Sequence, residues 1–240
     1  MSRPRESGTT RGARKERGRI EILTAAARLL AERGFHGMSM RDLAGASGVN
    51  LANLYNYFRS KDDLLFALQT RAFETLVAAA ERAIGGATDP SERLHAFILN
   101  HVRYVADHPD VMRVLVEEAG ELPRERRRIV RRLKERYFAI GHGLIRELAS
   151  DGAGAARASR DPIALERATY IVFGMLNWIY AWYEPRRHGS PQELARAIHQ
   201  LAMGGFVGRP PDRSALGVTE RRVEKLRVPS PIALHRESPP

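Results

Sequence analysis

The chain has 240 residues, a net charge of +11 and a sequence pI near 10.6, with 43% hydrophobic residues and no cysteine. That apolar content suffices for one large or two small packed domains. The missing cysteines exclude disulfides, thiolate catalysis and cysteine-ligated metal. No apolar run approaches the roughly 20 residues needed to span a bilayer, and no apolar segment follows the basic N-terminus as a secretory signal requires. A cytoplasmic protein is therefore expected. The charge is uneven, at +5 over residues 1–19 and +3 over 209–240, which leaves +3 for everything between. A basic total suits nucleic acid as a partner, although tails of this kind also serve simply as solvated segments.

Residues 1–16 lack any period and read as a disordered basic arm. A helix is predicted from Arg17 to Arg33, with Ile22, Leu23, Ala26, Leu29 and Leu30 forming its apolar stripe and Gly34 ending it. The run SMRDLAGASGVNLANLYNYFRSK, from Ser39 to Lys61, then reads as two short helices around a turn at Gly48. Ser39 is placed to cap the first, and Leu43, Val49, Leu54 and Phe58 supply core. The second helix carries Asn50, Asn53, Tyr55, Asn56 and Tyr57 and is poor in acids, as a helix entering a major groove should be. Asn side chains can pair with adenine, and Leu51 or Ala52 can touch a thymine methyl. A fourth helix opens at Ser60 with Asp62 and Asp63 in its first turn, where the helix dipole favours acids.

These residues carry a family resemblance. RIEILTAAARLLAERGF at 19–35, GVNLANLYNYFRSKDDLL at 48–65 and the long helical remainder resemble the TetR family of one-component transcription regulators. The family pattern is a first helix ending in Gly-Phe or Gly-Tyr, a helix-turn-helix, and Leu-Tyr-x-(His/Tyr)-Phe-x-x-Lys, here Leu54 to Lys61. The resemblance implies phosphate contacts from Ser39, Arg41, Tyr55, Tyr57 and Lys61. Arg19, at the start of the first predicted helix, joins the expected DNA-contacting set. Two departures stand out: Asn50-Leu51 replaces the small residue frequent early in the recognition helix, and Tyr57 replaces the commoner His.

The expected architecture is all-α, with about nine helices: an N-terminal helix-turn-helix head over 17–76, a body over 77–208 and a disordered tail over 209–240. In the body, helices are predicted from 90 to about 107, 109 to 119, 123 to 148, 162 to 183 and 191 to 206, with DGAGAARASRDP as a loop. The 162–183 segment is the most apolar. Ile171, Met175, Ile179 and Trp182, with Leu194, Ile198 and Leu201 of the last helix, are assigned to a four-helix dimer seam. Asn177 and Trp178 are assigned instead to an effector pocket, alongside Tyr104, Phe138 and His142. Eight basic residues between Arg124 and Arg136 are either a solvated helix face or a mouth for an anionic effector, with Arg127 and Arg131 as its ligands.

GMLNWIYAWYEPRRHGSPQELA at 174–195 resembles the C-terminal segment of TetR regulators of fatty-acid and sterol degradation, which implies an acyl-CoA effector. A drug-like ligand and an efflux or detoxification gene are the alternative. No nucleophile–base pair supports an enzyme, and no cofactor is expected. His101, Glu117 and His142 could together hold a metal, but surface or satisfied-core histidines are the commoner case. A helical enzyme or a helical module that does not bind DNA is the competing class, and the intact Leu54–Lys61 motif argues against it. The resulting expectation is a homodimeric, palindrome-binding repressor released by a small molecule.

Overall fold

A computed structural model of the chain describes residues 7–151 and 162–206. Ten α-helices and one 3-10 turn run in the order α1 (Ser7–Gly37), α2 (Met40–Ser47), α3 (Leu51–Tyr57), α4 (Lys61–Gly85), α5 (Pro90–Asp107), α6 (Pro109–Glu117), α7 (Arg124–Asp151), α8 (Pro162–Asn177), the turn (Ile179–Ala181), α9 (Pro185–His188) and α10 (Pro191–Phe206). No strand occurs among the described residues. The tail over 209–240, most of the 151–162 loop and residues 1–6 lie outside them.

Local chemistry sets most of the boundaries. Ser39 and Asp42 form a reciprocal capping box: the Asp42 amide donates to Ser39 Oγ at 3.1 Å, and the Ser39 amide donates to Asp42 Oδ2 at 2.9 Å. Those bonds, from the Ser39 side chain first, hold the Asp42 carboxyl below the usual carboxylate range. Gly48 closes α2 in the left-handed region at φ 68°, where its amide reaches the carbonyls of Ala44 and Gly45. Ser60 and Asp89 cap α4 and α5 through the amides of Asp63 and Glu92.

Two boundaries differ from expectation. α1 begins at Ser7, ten residues before Arg17, so much of the segment read as an irregular arm continues the helix. Its lower end is tied by the Glu16–Arg71 ion pair at 2.7 Å. Gly34 does break α1, at φ 69° and ψ 171°, and a further helical turn follows. α8 stops at Asn177 and does not run on to Tyr183. The aromatic residues beyond it each find a separate partner: Tyr180 Oη donates to Glu117 at 3.2 Å, Tyr183 Oη donates to the Gly189 carbonyl at 2.8 Å, and the Trp182 ring packs on Tyr183 and His188. These tertiary contacts outweigh the modest helix preference of aromatic residues.

One continuous core runs through head and body. In the head, Ile22, Ala26 and Leu30 of α1 meet Leu43, Leu54, Phe58, Leu64 and Leu65. α4 leaves this core to pack on α5 and α7, and α5 packs in turn on α10. Ile179 is fully buried and Ile198 nearly so, which places both in the protomer's own core. Their assignment to a dimer seam is therefore corrected. Ile179 extends the buried stripe of Leu165, Ala168, Val172 and Leu176, and the tightened 3-10 turn keeps it on that line. Ile171 is 49% exposed. Ile179→Ala is accordingly expected to destabilise the folded protein by about 2–5 kcal/mol, as large-to-small core changes do. Ile171→Ala should cost far less in the monomer. Urea denaturation of dilute protein checks the pair, and equal effects would remove the distinction.

Candidate nucleic-acid interface and body interior

The recognition face follows from how α3 is anchored. Leu54 is buried and Phe58 nearly so, which turns Ala52, Asn53, Tyr55 and Asn56 to solvent. Leu51 is half-buried. Asn50 is exposed, but its Oδ1 accepts the Asn53 amide at 2.8 Å, so it caps α3 and its acceptor is already engaged. An open groove beside α3 is lined by His36, Met38, Ser39, Met40, Arg41, Leu51, Tyr55 and Lys61. Thus Ser39, Arg41, Leu51, Tyr55 and Lys61 of the expected set are brought together. His36 and Met40 join them without any motif having marked them.

Three residues of the expected DNA-contacting set also make contacts within the head. Lys61 Nζ donates to the carbonyls of Phe35 at 2.6 Å and Met38 at 3.1 Å, and stands 4.4 Å from the centre of the Phe35 ring. It fastens the start of α4 to the α1–α2 junction, so two of its three protons are committed. Tyr57 is half-buried, and its hydroxyl lies so close to Gly18 of α1 that a Cβ there would be 2.8 Å away. Arg19 stacks 5.0 Å above the Phe58 ring. Of the three, Lys61 is the one whose donors are already hydrogen-bonded within the head.

The segment 118–122 clasps the head. Glu118 Oε1 accepts the Phe35 amide at 3.1 Å, directly after the Gly34 break. The Glu118 carbonyl accepts Nε2 of the buried Gln69 at 3.0 Å, and Glu121 pairs with His36 at 2.8 Å. Arg126, at the start of α7, pairs with Asp63 of α4 and covers Phe66.

The expected effector residues do not share one site. Arg127 folds back on the Leu122 carbonyl at 2.9 Å, and Arg131 is exposed on the outside of α7. Two other arginines of that run, Arg126 and Arg136, are paired with Asp63 and Glu81 of α4. Tyr104 borders a small cavity of about 260 Å³ at the head–body seam, with Ile20, Leu68, Arg71 and His108. Burial there pushes its hydroxyl up to about 12. Trp178 is 62% exposed and faces outward, so its pocket assignment is corrected. Asn177 is half-buried at the end of α8. Only Phe138 and His142 meet, with rings stacked 6.2 Å apart beside Phe173 and Thr169.

Around that pair lies a neutral polar core that the sequence reading did not assemble. Phe97, Tyr137 and Phe173 pack edge to face or tilted at 5.1–6.0 Å. His101 is 1% exposed, with Nδ1 3.1 Å from Tyr137 Oη, and burial lowers its pKa to about 4. Asn100 Nδ2 and His101 Nε2 are buried and have no hydrogen-bond partner among the described residues. Each such group costs about 1–3 kcal/mol. His101 bonds Tyr137, His142 bonds Thr169, and Glu117 bonds Tyr180 and Arg113, so these three candidate metal ligands are dispersed. No cluster of three His, Cys, Asp or Glu side chains among the described residues is placed to hold a metal.

Residues 22–68 match the family model described as bacterial regulatory proteins, tetR family. Residues 87–206 match the tetracyclin repressor-like C-terminal domain. The chain belongs to the TetR family. It is therefore a DNA-binding transcription regulator by family, and the family's members are regulators and not enzymes. The chain is 33% identical over 93 residues to the transcriptional activator FasR of Mycolicibacterium smegmatis, a match covering 38% of this chain and 42% of FasR. It is 23% identical over 188 residues to the fatty acid metabolism regulator protein of Bacillus subtilis, which covers 78% of this chain and 94% of that one. Its fold also matches a crystal structure of AibR in complex with isovaleryl coenzyme A and operator DNA, with a TM-score of 0.65 and 24% identity over 77% of this chain and 97% of AibR. No helix among the described residues is long and apolar enough to cross a membrane.

A pH dependence follows for this TetR-family fold. His101 resists protonation when folded, so the unfolded chain binds the extra proton between about pH 6.5 and 4. The stability it contributes is present above pH 6.5 and falls as pH drops, by up to about 3 kcal/mol. Chemical denaturation across this range should show His101→Leu with a shallower acid decline than wild type, His199 and the carboxylates remaining common to both. Parallel curves would refute the assignment.

Proposed function

We propose that the protein acts in the cytoplasm as a homodimeric repressor of a palindromic operator and is released by an acyl-CoA. The observation that carries the DNA half is the uncovered polar face of α3, held rigidly by Leu54, Phe58 and the Ser39–Asp42 box. Asn53 and Asn56 are the exposed amides on that face, and Arg41 and Tyr55 flank the adjoining groove. Ser39, Arg41 and Tyr55 take phosphates in this reading, while Lys61 and Tyr57 hold the head together.

The dimer half rests on a set of large apolar side chains left exposed on two neighbouring helices. Tyr170, Ile171 and Trp178 follow helical spacing on α8 and just beyond it, and Leu201 is 66% exposed on α10. Met175 and Leu194 border them half-buried, and Trp182 is 42% exposed. A second copy would cover this face and set two heads at a fixed spacing, about 34–36 Å for successive major grooves. The effector half draws on the relatives. The regulator of Bacillus subtilis is named for fatty acid metabolism and AibR is bound to an acyl-CoA, and the body interior here is apolar, aromatic and uncharged. An effector that fits only one arrangement of the body shifts the clasp at 118–122 and thereby the heads.

Footprinting on the DNA upstream of the gene, combined with sedimentation, tests the proposal. Wild type should sediment as a dimer and protect a near-palindrome. Asn53→Ala should relax preference at one base position by about 1–3 kcal/mol. Ile171→Arg should yield folded monomers with little operator affinity. A monomeric wild type, or DNA release by an uncharged aromatic drug but not by acyl-CoA, would contradict it.

A further inference from the structure

Resting on the effector reading above, we infer that Asn100, His101 and Tyr137 form the polar end of the body's ligand site, and that they receive an uncharged carbonyl on an apolar chain, a thioester or a ketone, and not a carboxylate. The three side chains are contiguous. The Tyr137 hydroxyl is 3.1 Å from His101 Nδ1 and lies beside the Asn100 side chain. Burial keeps Tyr137 protonated and His101 neutral. With Nδ1 accepting from the Tyr137 hydroxyl, the ring proton sits on Nε2, toward the side where the Leu176 carbonyl favours a protonated ring.

The unused capacity is that of donors. Asn100 Nδ2 carries two protons and His101 Nε2 one; the Tyr137 hydroxyl and the Leu176 carbonyl lie near them, but neither atom makes a hydrogen bond of full geometry. Buried donors are nearly always paired, so a native interior that leaves two open beside one hydroxyl is suited to an incoming acceptor. The walls are Phe97, Phe173 and Leu176, so the rest of that ligand is apolar. Charge then selects among acceptors. The buried polar side chains among the described residues are Gln69, His101 and Thr169, none of them a cation. A carboxylate entering here would lose its hydration without a counter-charge, whereas a thioester or ketone oxygen loses little and gains both donors. The phosphates of a CoA carrier would stay outside in water. Gly141 shows how tightly the empty interior closes, since a Cβ there would lie 2.8 Å from the Phe173 ring. The ligand therefore opens the packing of α7 against α8 as it enters.

Calorimetry on the full chain with three probes tests this: dodecanoyl-CoA, 2-undecanone and dodecanoate at neutral pH. The thioester and the ketone should bind, and dodecanoate should bind at least about tenfold more weakly than the ketone. Asn100→Leu and His101→Leu should each weaken ketone binding by about tenfold, the loss of one hydrogen bond. Asn100→Leu should hold or raise the Tm of the ligand-free protein, and it alone carries the stability readout, because His101→Leu also removes the Nδ1 acceptor of the Tyr137 hydroxyl. A merely structural role would instead lower Tm and leave the ranking of probes unchanged. Dodecanoate binding as tightly as the ketone, wild-type ketone affinity in both variants, or no binding of any probe overturns the inference. Operator footprinting on the same samples reports separately on the DNA half of the function.

Discussion

One carboxylate of the body anchors the head at the break in α1. Glu118 accepts the Phe35 amide that the Gly34 break in α1 leaves without a helical partner, while its own carbonyl holds the buried Gln69 of α4. A few residues away, Lys61 takes the Phe35 and Met38 carbonyls. The break leaves the Phe35 amide to a residue of the body, and Lys61 at the start of α4 takes two carbonyls between the break and α2. Each bond contributes about 1 kcal/mol net, but an orphaned group there would cost more. The angle of α2 and α3 against α4 depends on these bonds, and so does the direction in which the recognition face points.

This arrangement explains why a conformational change in the body would matter to DNA. α6 and the 118–122 segment lie between the head and the 3-10 turn after α8. Arg113 of α6 donates to the Ala31 carbonyl at 3.4 Å and stacks on Tyr180, whose hydroxyl binds Glu117. Ile179, next to Tyr180, is buried in the 3-10 turn that packs on α5, the helix that carries His101. A contiguous set of packed and hydrogen-bonded groups therefore runs from the body interior to the end of α1. A ligand that separates α7 from α8 acts on one end of it, and coupling of this kind is worth 1–3 kcal/mol in typical regulators.

Much of the head was legible in the sequence because its signals are local. Ser39 with Asp42, Gly48, and the apolar spacing of Leu43, Leu54 and Phe58 each act within one or two turns. What misled there was chemistry that spans the chain. Lys61 reads as a phosphate ligand until its ammonium is seen on the Phe35 and Met38 carbonyls, 26 and 23 residues away. The body was harder for the same reason. Periodicity marked Ile171, Ile179 and Trp182 alike as apolar, and only burial separates the outer face from the core. The break after Asn177 depends on Glu117 and Gly189, which no window around α8 contains. Asn100, His101 and Tyr137 come from two helices, so nothing in either segment alone announced them.

Amide hydrogen exchange at Phe35 tests the central claim most directly. If Glu118 couples the body to the head, the Phe35 amide is protected in the free protein, and saturating dodecanoyl-CoA increases its exchange at concentrations that release operator DNA. Glu118→Ala then shows fast exchange and weak operator binding with or without ligand. Release of DNA with unchanged protection at Phe35, or normal ligand response in Glu118→Ala, would contradict the account.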